Sequence, residues 1–247
     1  SKMDYSLLEK TTFGDLKKMA KEMGLESRRS KSEYITDIQE AFGEYEKYKK
    51  TKVDKYTRIR QLGNKGKEGT TYLVRDAKDR EFAMKTFRKT KSSNTLKNEY
   101  TLQKIAATAG IAPRVVEYDS VSKYIVMEKM DVHLVDVMKK QQGNLLQWQQ
   151  KQIIEIFRLL DKVGVFHADS NILNYMMKGK KIYLIDFGFS KEITTRLCKK
   201  LGTNSPNMRM MTLGLVLKLK EMKCPPSAWK YFRRQISEEE LKRFQIE

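Results

Sequence analysis

Cysteine and histidine are each present only twice, as Cys198, Cys224, His133 and His167. Two cysteines cannot build a disulfide framework, and four such residues scattered along 247 positions do not have the spacing of a Cys/His zinc site. Cysteine this sparse and unpaired in pattern fits a reducing compartment, so cytoplasm or nucleus is the expected setting. Long apolar runs are also missing. No stretch reaches the length needed to cross a bilayer, and membrane association is not expected. Internal repeats and low-complexity tracts are absent, which excludes solenoids and collagen-like or disordered polymers. Acidic residues are few against the bases: 31 Asp+Glu face 50 Lys+Arg, a net charge of +19. What is present is a 40% hydrophobic content, enough for a packed core in one or two domains.

A charge of +19 attracts polyanions such as nucleic acid or acidic proteins. Its distribution is uneven. Residues 1–55 hold 13 Lys+Arg against 11 Asp+Glu, and the rest of the chain holds 37 against 20. The positive field therefore belongs to the part of the chain after residue 55.

The first fifty residues read as a small helical unit. Thr12 or Asp15 caps a helix with Leu16, Met19, Ala20 and Met23 on one face, and Gly24 stops it. Ser30 or Ser32 opens a second helix with Tyr34, Ile35, Ile38 and Phe42 inside, ended by Gly43. A lysine-rich linker, 47–55, follows. The order T-T-F-G-D-L-K-K-M-A-K-E-M-G-L, then K-S-E-Y-I, resembles a SAP-type helix–loop–helix module, a family that contacts DNA.

From residue 58 the pattern changes to strands. R-I-R-Q-L-Gly63-N-K-Gly66-K-E-Gly69-T-T-Y-L-V is a strand, a glycine loop and a strand, and glycine lets backbone approach a polyphosphate closely. Ala83 and Lys85 lie on the next strand, E-F-A-M-K. The segment 95–107 is helical and carries Glu99. Residues 122–130 form a strand running into a connector, and 148–166 is strongly helical before His167-Ala168-Asp169. A Lys178-Gly179-Lys180 turn joins two short strands, and Asp186 closes the second.

The ordered set of glycine loop, A-M-K, helix Glu, connector, H167-A-D-S-N-I-L-N174 and D186-F-G resembles the protein-kinase-like family over roughly residues 56–190. That resemblance implies an α+β, bilobal fold with a reduced C-lobe after the helical unit. The implied domains are 1–50 and 51–247, the latter with an N-lobe at about 55–126, a hinge at about 127–131 and a C-lobe at about 132–247. It implies ATP and Mg2+ as cofactors. Gly63, Gly66 and Gly69 cover the phosphates, Lys85 neutralises them, and Glu99 orients Lys85. Met127 is the gatekeeper, the backbone of Glu128 and Met130 meets the adenine, and Ala83 and Met176 sandwich it. Asp169 accepts the proton of an incoming hydroxyl, and Asn174 and Asp186 hold metal.

The chain departs from the family in several places. One extra residue separates the first two glycines. Ala168 replaces an arginine that anchors phosphorylated activation loops, so activity independent of such phosphorylation is expected. Asn171 stands where serine/threonine kinases carry lysine. Only 59 residues follow Gly188, which implies a short activation segment, 189–206, a buried strut helix from Met208 and a last helix from Ser237. Ala168 and Asn171 are similar to what RIO-type and other small atypical kinases carry, while the compact lobe, the SAP-like head and the high lysine content together resemble kinases of large DNA viruses, which adds host cell or virion to the possible settings. The expected function is a serine/threonine protein kinase acting on nucleic-acid-associated or acidic partners, with possible DNA contact through the basic kinase face and the SAP-like module. A kinase-fold small-molecule phosphotransferase and a nucleic-acid-binding pseudokinase scaffold are the alternatives.

Overall fold

A computed structural model describes residues 6–51, 55–63, 65–66 and 68–247. Loop residues Asn64 and Lys67 and linker residues 52–54 lie outside the described part. The chain divides into two compact units, one of residues 1–98 with 115–129 and one of residues 99–114 with 130–247.

The first unit opens with helices α1 (Ser6–Lys10), α2 (Phe13–Glu22) and α3 (Lys31–Thr51). Leu8, Leu16, Ala20, Tyr34 and Ile38 form their buried core, as the apolar spacing requires. The Thr12 hydroxyl caps α2 by accepting from the Asp15 N–H, and Gly24 takes a left-handed φ of 71° past its end. Gly43 does not end α3, and residues 47–51 continue the helix instead of starting a linker. One helical glycine costs only about 1 kcal/mol relative to alanine. The Glu- and Lys-rich stretch beyond it is strongly helix-forming, and Gly43 lacks the positive φ that stops a helix.

The same unit holds a five-stranded antiparallel sheet. Its strands are β1 (Thr57–Leu62), β2 (Gly69–Arg75), β3 (Glu81–Phe87), β4 (Val115–Asp119) and β5 (Tyr124–Met127), in the order β1-β2-β3-β5-β4. Val74, Met84, Tyr124 and Val126 pack on one face with Tyr56 and Phe82. Lys123, 8% exposed, fastens the helical module to this sheet unit. Its ammonium donates to the carbonyls of Met23 (3.1 Å), Lys89 (2.6 Å) and Lys91 (2.6 Å). Burial lowers its pKa, while the three acceptors favour the charged form. Gly24 sits against the same turn, where a Cβ would come within 2.7 Å of the Lys91 carbonyl.

Helix α4 (Ser93–Thr108) runs from the first unit into the second. The second unit then contains β6 (Val132–His133), α5 (Leu134–Lys140), α6 (Gln147–Val163), β7 (Val165–Phe166), β8 (Tyr175–Lys178) and β9 (Lys181–Leu184). It continues with β10 (Lys191–Glu192), α7 (Thr195–Leu201), a π-helical turn at Asn207–Met211, α8 (Thr212–Glu221), α9 (Lys230–Arg233) and α10 (Glu238–Arg243). Phe157, Leu160, Leu184, Phe187, Leu215, Trp229 and Phe232 belong to one continuous core. Buried Gln150 ties α6 to the C-terminal helices, donating to the Leu145 and Ser227 carbonyls and accepting from the Tyr231 N–H. The strut from Met208 is buried at Met211, Leu215, Val216 and Leu219, and the Ser237 hydroxyl caps α10.

Candidate active site

In the first unit, strand alternation puts Ala83, Lys85 and Phe87 on one face of β3. Ala83 lies opposite Leu73 and Met127, and Lys85 opposite Thr71 and Ile125. The Lys85 ammonium is 5.1 Å from the Phe87 ring centre. Met127 ends β5 buried, and half-buried Glu128 follows. The three loop glycines differ in what they do. Around Gly63, with φ 69°, and around Gly66 there is open space or one ordinary contact. Gly69 sits on β2, where a Cβ would lie 1.8 Å from the Thr86 carbonyl oxygen, so the sheet itself demands glycine there.

In the second unit, β7 delivers His167, Ala168 and Asp169. His167 is fully buried. Its Nε2–H donates to the Ile185 carbonyl (2.9 Å), and its Nδ1 accepts from the Asp169 N–H (3.3 Å), which fixes one neutral tautomer. Burial pushes its pKa below the ordinary value. Ala168 has a φ of 68°, a left-handed conformation that costs an alanine about 1–2 kcal/mol and turns the chain so that Asp169 follows. One Asp169 carboxylate oxygen accepts from the Asn171 N–H. Asn171 acts locally. Its Oδ1 caps the 3-10 turn Ile172–Asn174 by accepting from the Leu173 N–H.

That turn carries Asn174, and β8 and β9 bring the chain back to Asp186. The Ile185 N–H donates to the Asn174 carbonyl (2.7 Å) while the Ile185 carbonyl accepts from His167. A single peptide segment thus holds Asp169, Asn174 and Asp186 in one neighbourhood. Asp186 has a φ of 61°, and one of its oxygens accepts from the Gly188 N–H. Met176 follows on β8. The Asp131 N–H donates to the Met177 carbonyl and holds buried Met130 beside that strand. Glu99, on α4, is 2% exposed and belongs to this second unit, whereas Lys85 belongs to the first.

Three residues that sequence reasoning passed over support the loop. Asn207 is fully buried. Its Oδ1 accepts from the His167 N–H (3.1 Å), and its Nδ2 donates to the Val165 carbonyl (2.6 Å) and to Asp161 Oδ1 (2.9 Å). Asp161, on α6, also accepts from the Asn207 and Met208 N–H groups. Gly214 lets α8 press against the loop, since a Cβ there would come within 2.4 Å of the Ser170 hydroxyl. The one sequence signal was Asp161, an acid beside Phe157 and Leu160 on the buried stripe of α6.

The residues fit a divalent metal with a nucleotide. The Asn174 amide is buried with its Nδ2 unpartnered among the described residues, and amide oxygen and nitrogen exchange places by a simple flip. An inward-facing amide oxygen and the Asp186 carboxylate are the hard oxygen donors Mg2+ prefers. The Tyr175 hydroxyl is likewise buried without a partner among the described residues, and its pKa is raised by burial and then by the charge of Asp169.

No curated protein matches the chain. The sequence model of the protein kinase domain matches residues 56–208, more than half of its length and all of the site just described except Gly214. The protein belongs to the protein kinase domain family.

Proposed function

We propose that this protein is an ATP- and Mg2+-dependent kinase that phosphorylates serine or threonine hydroxyls of other proteins. The observation that carries the reading is the convergence of Asp169, Asn174 and Asp186 around the Ile185 peptide, with His167 and Asn207 holding the loop rigid. When bound, ATP supplies the phosphoryl group and Mg2+ neutralises its charge.

Lys85 would neutralise the phosphates as a point charge. Asn174 and Asp186 would hold the metal. Asp169 aligns the substrate hydroxyl and takes its proton as the new O–P bond forms and the bond to the β-phosphate oxygen breaks, leaving ADP. The left-handed backbone at Ala168 and Asp186 aims both carboxylates without an arginine that anchors a phosphorylated segment, which supports activity without activation-segment phosphorylation.

The test is labelled phosphate transfer from ATP with Mg2+ into a protein mixture and, separately, into small-molecule acceptors, with phosphosites mapped and Lys85→Ala as control. Label on Ser and Thr of proteins, lost in Lys85→Ala, supports the reading. Label confined to small acceptors would reassign the enzyme to small-molecule phosphotransfer. Full biological activity of Asp186→Asn would make the fold a scaffold.

A further inference from the structure

The segment beyond Gly188 carries an unusual charge arrangement. From Gly188 to Met210 there is one acidic residue, Glu192, against Lys191, Arg196, Lys199, Lys200 and Arg209. Arg209 is committed to Glu240 at 3.0 Å. Arg196, Lys199 and Lys200 sit at i, i+3 and i+4 on α7, all exposed, so they crowd one helical face. Like charges at these spacings destabilise a helix. Other helices of this chain relieve such charge by pairing, with Lys139 to Asp136, Arg158 to Glu155 and Lys218 to Glu221. Among the described residues, α7 has no such carboxylate. The helix is held instead by local devices, the Thr194 hydroxyl accepting from the Leu197 N–H and Gly202 closing it at φ 69°. Lys199 and Lys200 lie in the last turn, where the helix dipole favours cations, and the exposed, carboxylate-free face is suited to an anionic partner from outside.

Its position says which partner. β10 pairs with β7, Lys191 opposite Phe166 and Glu192 opposite Val165, and the Ile193 N–H donates to the Gly164 carbonyl at 2.8 Å. The Ser190 hydroxyl donates to the His167 carbonyl. The segment is therefore fastened alongside the strand that delivers Asp169. Gly164 is five residues before Asp169, a span of at most about 17 Å at strand rise. An extended peptide covers such a span with about five residues, so acidic positions read by α7 would lie several residues from the acceptor hydroxyl. Beside the cationic face lies a depression of about 550 Å³ lined by Thr194, Cys198, Lys199, Thr203 and Asn204, with room for a side chain of such a peptide.

We infer that the α7 face, through Arg196, Lys199 and Lys200, selects protein substrates with Asp or Glu several residues from the acceptor hydroxyl. This rests on the protein-phosphotransfer reading above. The experiment uses the full chain and two serine peptides, identical except that the flanking positions are Asp/Glu in one and Asn/Gln in the other. The acidic peptide is expected to have a kcat/KM at least tenfold higher, mostly through KM, with the advantage shrinking as salt rises. Arg196→Gln/Lys199→Gln/Lys200→Gln is expected to erase the advantage while phosphorylating the neutral peptide as wild type does, which also shows that the variant is folded. The charge-reversed triple Glu variant is expected to favour a basic peptide.

Equal kcat/KM on both peptides in wild type, or an advantage that survives the triple Gln variant, would overturn the inference and leave the kinase reading standing. Transfer to no peptide or protein at all would overturn both. A face that instead binds duplex DNA, lost in the triple Gln variant, with no acidic preference in peptides, would assign α7 to nucleic acid and refute the substrate role.

Discussion

Replacing Asn207 with leucine tests how the Asp169 loop is held. Leucine has the same branching and heavy-atom count with bulkier methyl ends, so the change removes hydrogen bonds without opening a cavity and adds some overpacking at a fully buried site. The lost contacts are those to the His167 N–H, the Val165 carbonyl and Asp161. Asp161 keeps two backbone donors, from Asn207 and Met208, so the carboxylate is not stranded. The His167 N–H and Val165 carbonyl are left buried without partners. Each such orphan costs about 1–3 kcal/mol. Allowing for the extra apolar surface of leucine, a net loss of about 3 kcal/mol is expected, a large part of the roughly 5–15 kcal/mol that holds a domain together. Urea denaturation of wild type, Asn207→Leu, Asp161→Asn and the double variant measures this loss. It also gives the coupling between the two residues, expected to be strongly non-additive because they share one hydrogen-bond network. In the phosphotransfer assay, a loop displaced by about 1 Å lowers kcat on the order of 100-fold, with little change in KM for ATP. A stability loss under about 1 kcal/mol together with unchanged kcat would show that Asn207 neither braces nor positions the loop.

Three further outcomes follow from the structure. His167 is buried neutral with a lowered pKa, so between that value and its ordinary 6.5 the unfolded chain binds more protons than the folded one. Its contribution is fully present above pH 6.5 and is lost on acidification, at no more than about 1.4 kcal/mol per pH unit; urea midpoints at pH 7.5, 6.5 and 5.5 should fall less steeply in His167→Gln, and equal slopes would refute the assignment. Gly69→Ala should destabilise the protein with or without nucleotide because its Cβ meets the Thr86 carbonyl, whereas Gly66→Ala should leave thermal stability near wild type and weaken ATP binding; the reverse pattern in calorimetry and nucleotide titration would contradict the separation of roles. Lys123→Met should remove three charge-assisted hydrogen bonds and raise hydrogen exchange together in residues 19–25 and 89–96; faster exchange in one segment alone would mean that Lys123 does not join them.

Much of this site was legible in the sequence because its chemistry is local. Asp169 and Asn174 lie on one tight loop, the Lys178–Lys180 turn returns the chain to Asp186, and the Thr12 and Ser237 caps each act three residues ahead. The brace under the loop was not legible. Asp161 and Asn207 are 46 positions apart, and the π-helical turn that presents Asn207 has no sequence signature. Gly69 shows a different limit: a glycine in a phosphate-like loop is also what a crowded β2–β3 pairing requires, and only the Thr86 carbonyl separates the two reasons. Gly43 misled for the opposite reason, since a lone glycine stops a helix only when the chain turns left-handed there, and the helix-forming residues after it keep α3 going. Lys123, 100 positions from Met23, reads in sequence as one more surface lysine among many.

The most direct measurement is single-turnover phosphotransfer by Asp169→Asn beside an ATP-binding titration of the same variant. Loss of the proton acceptor, with the metal and phosphate ligands intact, should leave the Kd for ATP with Mg2+ near wild type and slow transfer by about 100- to 10,000-fold. Transfer at the wild-type rate would mean that the loop built around the Ile185 peptide does not carry the reaction.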